Sequence, residues 1–195
     1  MSMSNEPGEY YTAERWQNWI GRLREEDIDP EEEDSARLLL NLQDDTAIAV
    51  AKIITDYEDG VIDDERALSE LEDIQQVVLS EVEFDNEEKE MLIDGVQTSL
   101  MCVFYAAEEF VVGGPAEDGT IEEYIEAAAE AEANEELDAA LGYCVQAGTL
   151  VVDGEEMDIA VTEDLEFGLV AEWVNGIDSL QTAMRDPEVV EEEED

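Results

Sequence analysis

Two carboxylates at i, i+3 on a helix present hard oxygen donors on one face, an arrangement able to hold Mg²⁺ or Mn²⁺ against a small phosphorylated substrate. Glu70 with Asp73 has this spacing, as does Glu87 with Glu90, followed one turn later by Asp94. With 57 acidic residues among 195, however, about 16 such pairs arise by chance. Neither pair is accompanied by a Lys or Arg cluster to hold phosphate, so a solvated acidic helix face is the plainer reading. The chain has no histidine. That removes Ser-His-Asp and Cys-His nucleophile systems, imidazole-dependent zinc sites and the Glu-x-x-His pairs of di-iron bundles. Cys102 and Cys144 are too far apart in sequence for a CxxC motif, and each sits in an apolar helical stretch. They read as buried, reduced thiols. No glycine-rich phosphate loop occurs, because Gly113-Gly114 runs into Pro115 with no lysine.

Thr55 to Asp63 invites comparison with a calcium loop around Gly60. Setting Gly60 at the invariant loop glycine puts Thr55, Tyr57 and Arg66 where the first, third and twelfth ligands belong. A cation at the bidentate position rules this out, leaving a helix–glycine turn–helix corner. The remaining constellation is Arg15, Trp16 and Trp19, with Arg22 and Arg24 nearby. Trp and Arg dominate the hot spots of protein interfaces, so this first helix is the candidate docking element. The competing reading lays the Trp face on the protein's own core. Trp19, flanked by Ile20 and Leu23, is the better core residue; Trp16, beside Arg15, is the better surface residue.

Against 57 acidic residues stand 8 basic ones, a formal charge of −49. Self-repulsion of that size opposes a compact state at low ionic strength. Leu, Ile, Val and Phe nonetheless make up 49 of 195 residues, enough for a packed core. Molar salt reconciles the two, since it shortens the Debye length to roughly 3 Å while surplus carboxylates keep the surface hydrated. The expectation is a salt-adapted, soluble, cytoplasmic protein. The N-terminus lacks the charged and apolar regions of a secretory signal, and no uninterrupted apolar run reaches the length of a membrane span. Nucleic acid is not an expected partner, because no basic patch is evident.

The elements that must position these residues are helical. Thr12 caps a first helix with Trp16, Trp19, Ile20 and Leu23 on one stripe. Asp29-Pro30-Glu31-Glu32 opens a second, with Asp29 as N-cap, a possible break at Gln43-Asp44-Asp45, and Gly60 as terminator. Asp63 or Asp64 starts a third, and Asp85 with Glu88 caps a fourth. Between Ser99 and Ala107 the fourth helix is apolar almost all round and should be the central one. Thr120 and Glu123 form a capping box for a fifth, which runs on through Leu137, Leu141 and Cys144 to Gly148. Leu150, Val152, Met157, Ile159 and Val161 alternate around Asp153-Gly154, the signal of a β-hairpin. A last helix covers roughly Glu163 to Arg185. The sequence thus predicts a mainly all-α protein, a compact bundle of six to seven helices with one small hairpin near residues 149–161. A disordered N-terminus over 1–9 and a disordered acidic tail over 187–195 should flank a single helical domain over 10–186.

Tyr10-Tyr11-x-x-Glu14-Arg15-Trp16-x-x-Trp19, the Asp29-Pro30-Glu31 start and Tyr57-Glu58-Asp59-Gly60-Val61-Ile62-Asp63 resemble an archaeal family of unknown function, prominent in halophiles. The resemblance covers most of the chain and implies the salt-rich habitat and one-domain organisation, but no activity, cofactor or site. The functional expectation is a non-enzymatic interaction or regulatory factor that binds a protein partner or itself. The alternative is a Mg- or Mn-dependent enzyme using carboxylates on a small phosphorylated substrate.

Overall fold

The computed structural model of the protein describes residues 10–29, 31–166 and 168–185. Among these there are eight helices and no strand. They are α1 (Ala13–Glu25), α2 (Glu33–Glu58), α3 (Asp64–Val78), α4 (Glu87–Gly113), α5 (Ile121–Ala133), α6 (Leu137–Val152), α7 (Ile159–Glu163) and α8 (Leu169–Arg185). The terminal segments expected to lack structure, 1–9 and 187–195, lie outside the described residues.

Local chemistry starts several helices where sequence spacing places them. Thr12, Asp63 and Thr120 accept the backbone N–H of the residue three positions on, and Glu123 closes the Thr120 capping box. The fourth helix differs by one residue: Asn86, not Asp85, is its N-cap and accepts from the Glu88 N–H. Gly60 ends α2 at φ +76°, with its own N–H on the Tyr57 carbonyl and that of Val61 on Asp56. This is the left-handed terminator glycine permits, not a metal loop.

Other expectations need correction. The second helix does not start at Asp29. That carboxylate instead accepts the Glu31 N–H and makes a local turn, Glu32 becomes the N-cap, and Pro30 lies outside the described residues. Nor does α2 break at Gln43-Asp44-Asp45, because Gln43 and Asp45 are buried with partners on other helices. The hairpin over 149–161 does not form. Leu150, Val151 and Val152 are all buried, so their apparent alternation is only part of a helix end enclosed on every side. Gly154, at φ +105°, terminates that helix, its N–H on Val151 and that of Glu155 on Leu150. Residues 159–163 then form a separate short helix before α8, making eight helices where six to seven were expected.

The fifth expected helix is in fact two. Glu135 adopts φ +63°, and the N–H groups of Glu135 and Glu136 return to the carbonyls of Glu132 and Ala131. A residue with a Cβ in this conformation costs roughly 1–2 kcal/mol. Glu135→Gly should therefore raise stability by about 1 kcal/mol in chemical denaturation at molar KCl. A loss of stability would show that the side chain matters more than the backbone strain.

As expected, α4 is central, packing on α2, α3, α6 and α8. Its Leu100, Val103 and Phe104 belong to the core shared with α1 to α3, and its Cys102 to the core shared with α5, α6 and α8. Two glycines set how closely these helices approach. A Cβ on Gly148, expected to end a helix but buried within α6, would lie 2.5 Å from the Ala106 Cβ on α4. A Cβ on Gly176 of α8 would lie 2.1 Å from the Ser99 carbonyl oxygen of α4. Polar anchors complete the packing. Gln43 donates to Ser179 Oγ at 2.8 Å, and Gln181 accepts the Met157 N–H at 2.5 Å.

Candidate functional site

The stripe on α1 buries Trp16, Ile20 and Leu23 at i, i+4, i+7 against the α2–α4 core. Trp19 falls at the edge of that stripe and is only partly buried. The two tryptophans thus take the opposite places to those their neighbours suggest. The tighter 16–20–23 spacing marks the centre of the buried face, and proximity to the N-terminus carries no weight. At its edge position Trp19 donates from its indole N–H to Asp45 Oδ2 at 2.9 Å.

Asp45 is the residue that sequence reasoning missed. Its side chain is 1 % exposed, whereas that of Arg15 is 45 % exposed. The guanidinium grips both carboxylate oxygens, Nε donating to Oδ2 at 2.7 Å and the other nitrogen to Oδ1. A buried carboxylate is tolerated only when paired and hydrogen-bonded, and here Arg15 and Trp19 together supply three donors. Nothing local marks Asp45 for this, since its partner lies thirty residues away across the α1–α2 connection.

The other cations of the region are likewise committed to the fold. Arg22 lies over the Trp19 ring at 4.9 Å. Arg24 donates to the Glu83 carbonyl at 3.0 Å and lies 5.6 Å from the Phe84 ring centroid. Lys89 Nζ donates to the carbonyls of Arg24 and Glu26 at 3.2 and 2.7 Å, satisfying oxygens at the C-terminal end of α1. Nearby, Tyr10 donates its hydroxyl to Asp56 Oδ2 at 2.5 Å. Burial, and then this bond to a carboxylate, push the phenol above its ordinary range.

If Trp16 is core and Trp19 an edge residue, their truncations should differ. Trp16→Ala should cost about 3 kcal/mol, near the low end for a large core residue because the peripheral helix can settle into the space. Trp19→Ala loses the bond to Asp45 and the exposed Arg22 stack and should cost less, about 2 kcal/mol. Equal losses in urea denaturation at molar KCl would contradict these placements.

The candidate metal pairs do not converge. Glu70 is buried and held by Arg66, one turn before it on α3. Asp73 and Glu87 are exposed, and Glu90 accepts the Phe84 N–H at 3.1 Å. Among the described residues no three His, Cys, Asp or Glu side chains are grouped so as to hold a metal ion. Carboxylates do face one another across helix pairs. Glu108 on α4 is pushed up by burial and then by Glu72 on α3, in a groove of about 560 Å³ also lined by Leu68, Gln75, Gln76 and Leu79. Glu172 is raised by burial and Asp94, and Asp44 by burial and Asp178 against a hydrogen bond from Ser179. Both thiols are buried. Among the described residues no helix is long and apolar enough to cross a membrane.

No match to the chain was found among the curated proteins or the solved structures. Residues 9–193 match a family model covering nearly the whole chain, including the α1 clasp and every helix described above. The chain belongs to the DUF2150 family, described as an uncharacterised protein conserved in archaea.

Proposed function

We propose that the protein is a non-enzymatic interaction or regulatory factor adapted to a salt-rich cytoplasm, acting through a protein partner or self-association. The observation that carries this reading is how the side chains capable of chemistry are used. Arg15, Trp19 and Asp45 clasp α1 to α2, Arg66 neutralises Glu70, and Cys102 and Cys144 are sealed in the core. Large apolar side chains, by contrast, stand in solvent: Val61 is 69 %, Val112 72 % and Met91 74 % exposed. Salt strengthens apolar association and screens charge, so contacts of this kind suit molar KCl better than ionic ones.

The test uses the tagged full-length protein in two measurements at molar KCl: molar mass in solution when purified, and stoichiometric co-purification from archaeal lysate. A defined oligomer, or one partner recovered in fixed ratio and lost on Val112→Asp or Met91→Asp, is the expected result. A monomer that recovers no partner, yet hydrolyses a phosphorylated substrate when Mg²⁺ or Mn²⁺ is added, would replace this reading with the carboxylate–metal one.

A further inference from the structure

Cys102 and Cys144 are the two cysteines of the chain, both fully buried and both in the core shared by α4, α5, α6 and α8. Their helices run parallel. At one end of the bundle Tyr57 donates to the Val111 carbonyl near the end of α4, while Glu58 senses Asp153 just past α6, so both C-termini lie beside the end of α2. The pair approaches closely where Gly148 meets Ala106, since a Cβ on the glycine would overlap that of the alanine. One turn back along each helix, four residues before Ala106 and Gly148, stand Cys102 and Cys144. Parallel helices that nearly touch at one turn separate by only a few ångströms at the next. A few ångströms of divergence keeps the facing residues in the range from which the roughly 5.5–6 Å Cα separation of a disulfide is reached by a small helix shift. Consistent with this juxtaposition, Cys102 is pushed well above its usual range by burial and then by Cys144.

We propose that Cys102 and Cys144 form a redox-responsive dithiol that closes to an intramolecular disulfide, stapling α6 to the central helix α4. With a peroxide as oxidant, one sulfur attacks the O–O bond and becomes a sulfenic acid, releasing one water. The second sulfur displaces the sulfenic oxygen, which leaves as a second water. Two thiol protons and two electrons pass to the peroxide, and the S–S bond forms. Burial pushes Cys144 up to about 12, so both groups are neutral thiols in the closed fold. Oxidation therefore proceeds through local opening of the α4–α6 contact, and the dithiol responds to sustained oxidant or a loosened fold. Once closed, the bond restricts the unfolded chain over the α4–α6 loop and holds the pair together.

The experiment treats the reduced full-length protein with hydrogen peroxide in molar KCl, quenches with catalase, and alkylates after unfolding. The expected result is a monomer in which the joined Cys102 and Cys144 peptides are together about 2 Da lighter than the reduced pair. It takes up no alkylating reagent, yields a Cys102–Cys144 cross-linked peptide, and melts at a higher temperature until dithiothreitol reverses the change. Cys102→Ala, if folded by circular dichroism, should lose the peroxide-dependent rise in melting temperature. Covalent dimers, oxygen added at the cysteines without hydrogen loss, or two thiols still fully alkylated after hours in peroxide would each overturn the proposal. So would a Cys102→Ala protein that keeps the rise.

Discussion

Gly176→Ala should be among the most damaging single substitutions in the molecule, costing about 4 kcal/mol or more and in practice abolishing the native melt. The added Cβ would sit 2.1 Å from the carbonyl oxygen and 2.7 Å from the carbonyl carbon of Ser99. Those are backbone atoms inside a long helix and cannot rotate away, so α8 would have to lift off α4. Lifting it would strip Trp173, Val174, Ile177 and Leu180 from both core regions and pull Ser179 away from Gln43. Gly142 provides the internal control. It is exposed within α6, nothing lies within 4 Å of its Cβ position, and Gly142→Ala should gain up to about 1 kcal/mol from helix propensity. Thermal melts of the two variants at molar KCl should move in opposite directions. If Gly176→Ala melted like the parent, the tight α4–α8 crossing would be wrong.

The parts of this fold that sequence reveals are those fixed within four or five residues. Thr12, Asp63 and Thr120 cap helices through a neighbour three positions on, and Gly60 stops one because it reaches a left-handed conformation cheaply. The errors fall where distant burial overrides local pattern. Asp153-Gly154 has the composition of a hairpin turn, but a left-handed glycine also ends helices, and the burial of Leu150 to Val152 decides which applies. Glu135 carries no breaker signal, yet the antiparallel packing of α5 on α6 holds it in a conformation its own chemistry disfavours. At the candidate site, the residue types of α1 drew notice, but their roles depended on Asp45, a carboxylate indistinguishable by composition from dozens of others.

The carboxylates also set a pH dependence. Asp44, Glu58, Glu108, Glu172 and Asp178 are all raised, in each case first by burial. Groups with a folded value above the unfolded one bind their protons more tightly when folded. Stability therefore rises as pH falls through the raised values, and the gain is complete below the ordinary 3.8 of Asp and 4.5 of Glu. Taking the protein from pH 7 towards about 5 at fixed salt should raise its melting temperature. A fall over that interval would mean that the lost ion pairs outweigh the relieved carboxylates.

The central claim is that a chain with a formal charge of −49, whose ion pairs Arg15–Asp45 and Arg66–Glu70 stabilise it only locally, depends on its solvent to stay folded. At 0.01 M salt the Debye length is about 30 Å, comparable to a small domain, so every carboxylate repels every other; at 1 M it is about 3 Å, and even neighbours are screened. Molar KCl also strengthens burial of the apolar core by raising the cost of exposing it. The direct measurement is the thermal unfolding of the purified full-length protein by circular dichroism, at constant pH, from tens of millimolar to molar KCl. The expected result is a cooperative helical melt at molar salt, with a melting temperature that drops steeply on dilution until the fold is lost or swollen at the lowest concentrations. An equally cooperative melt at the same temperature across the whole range would contradict it.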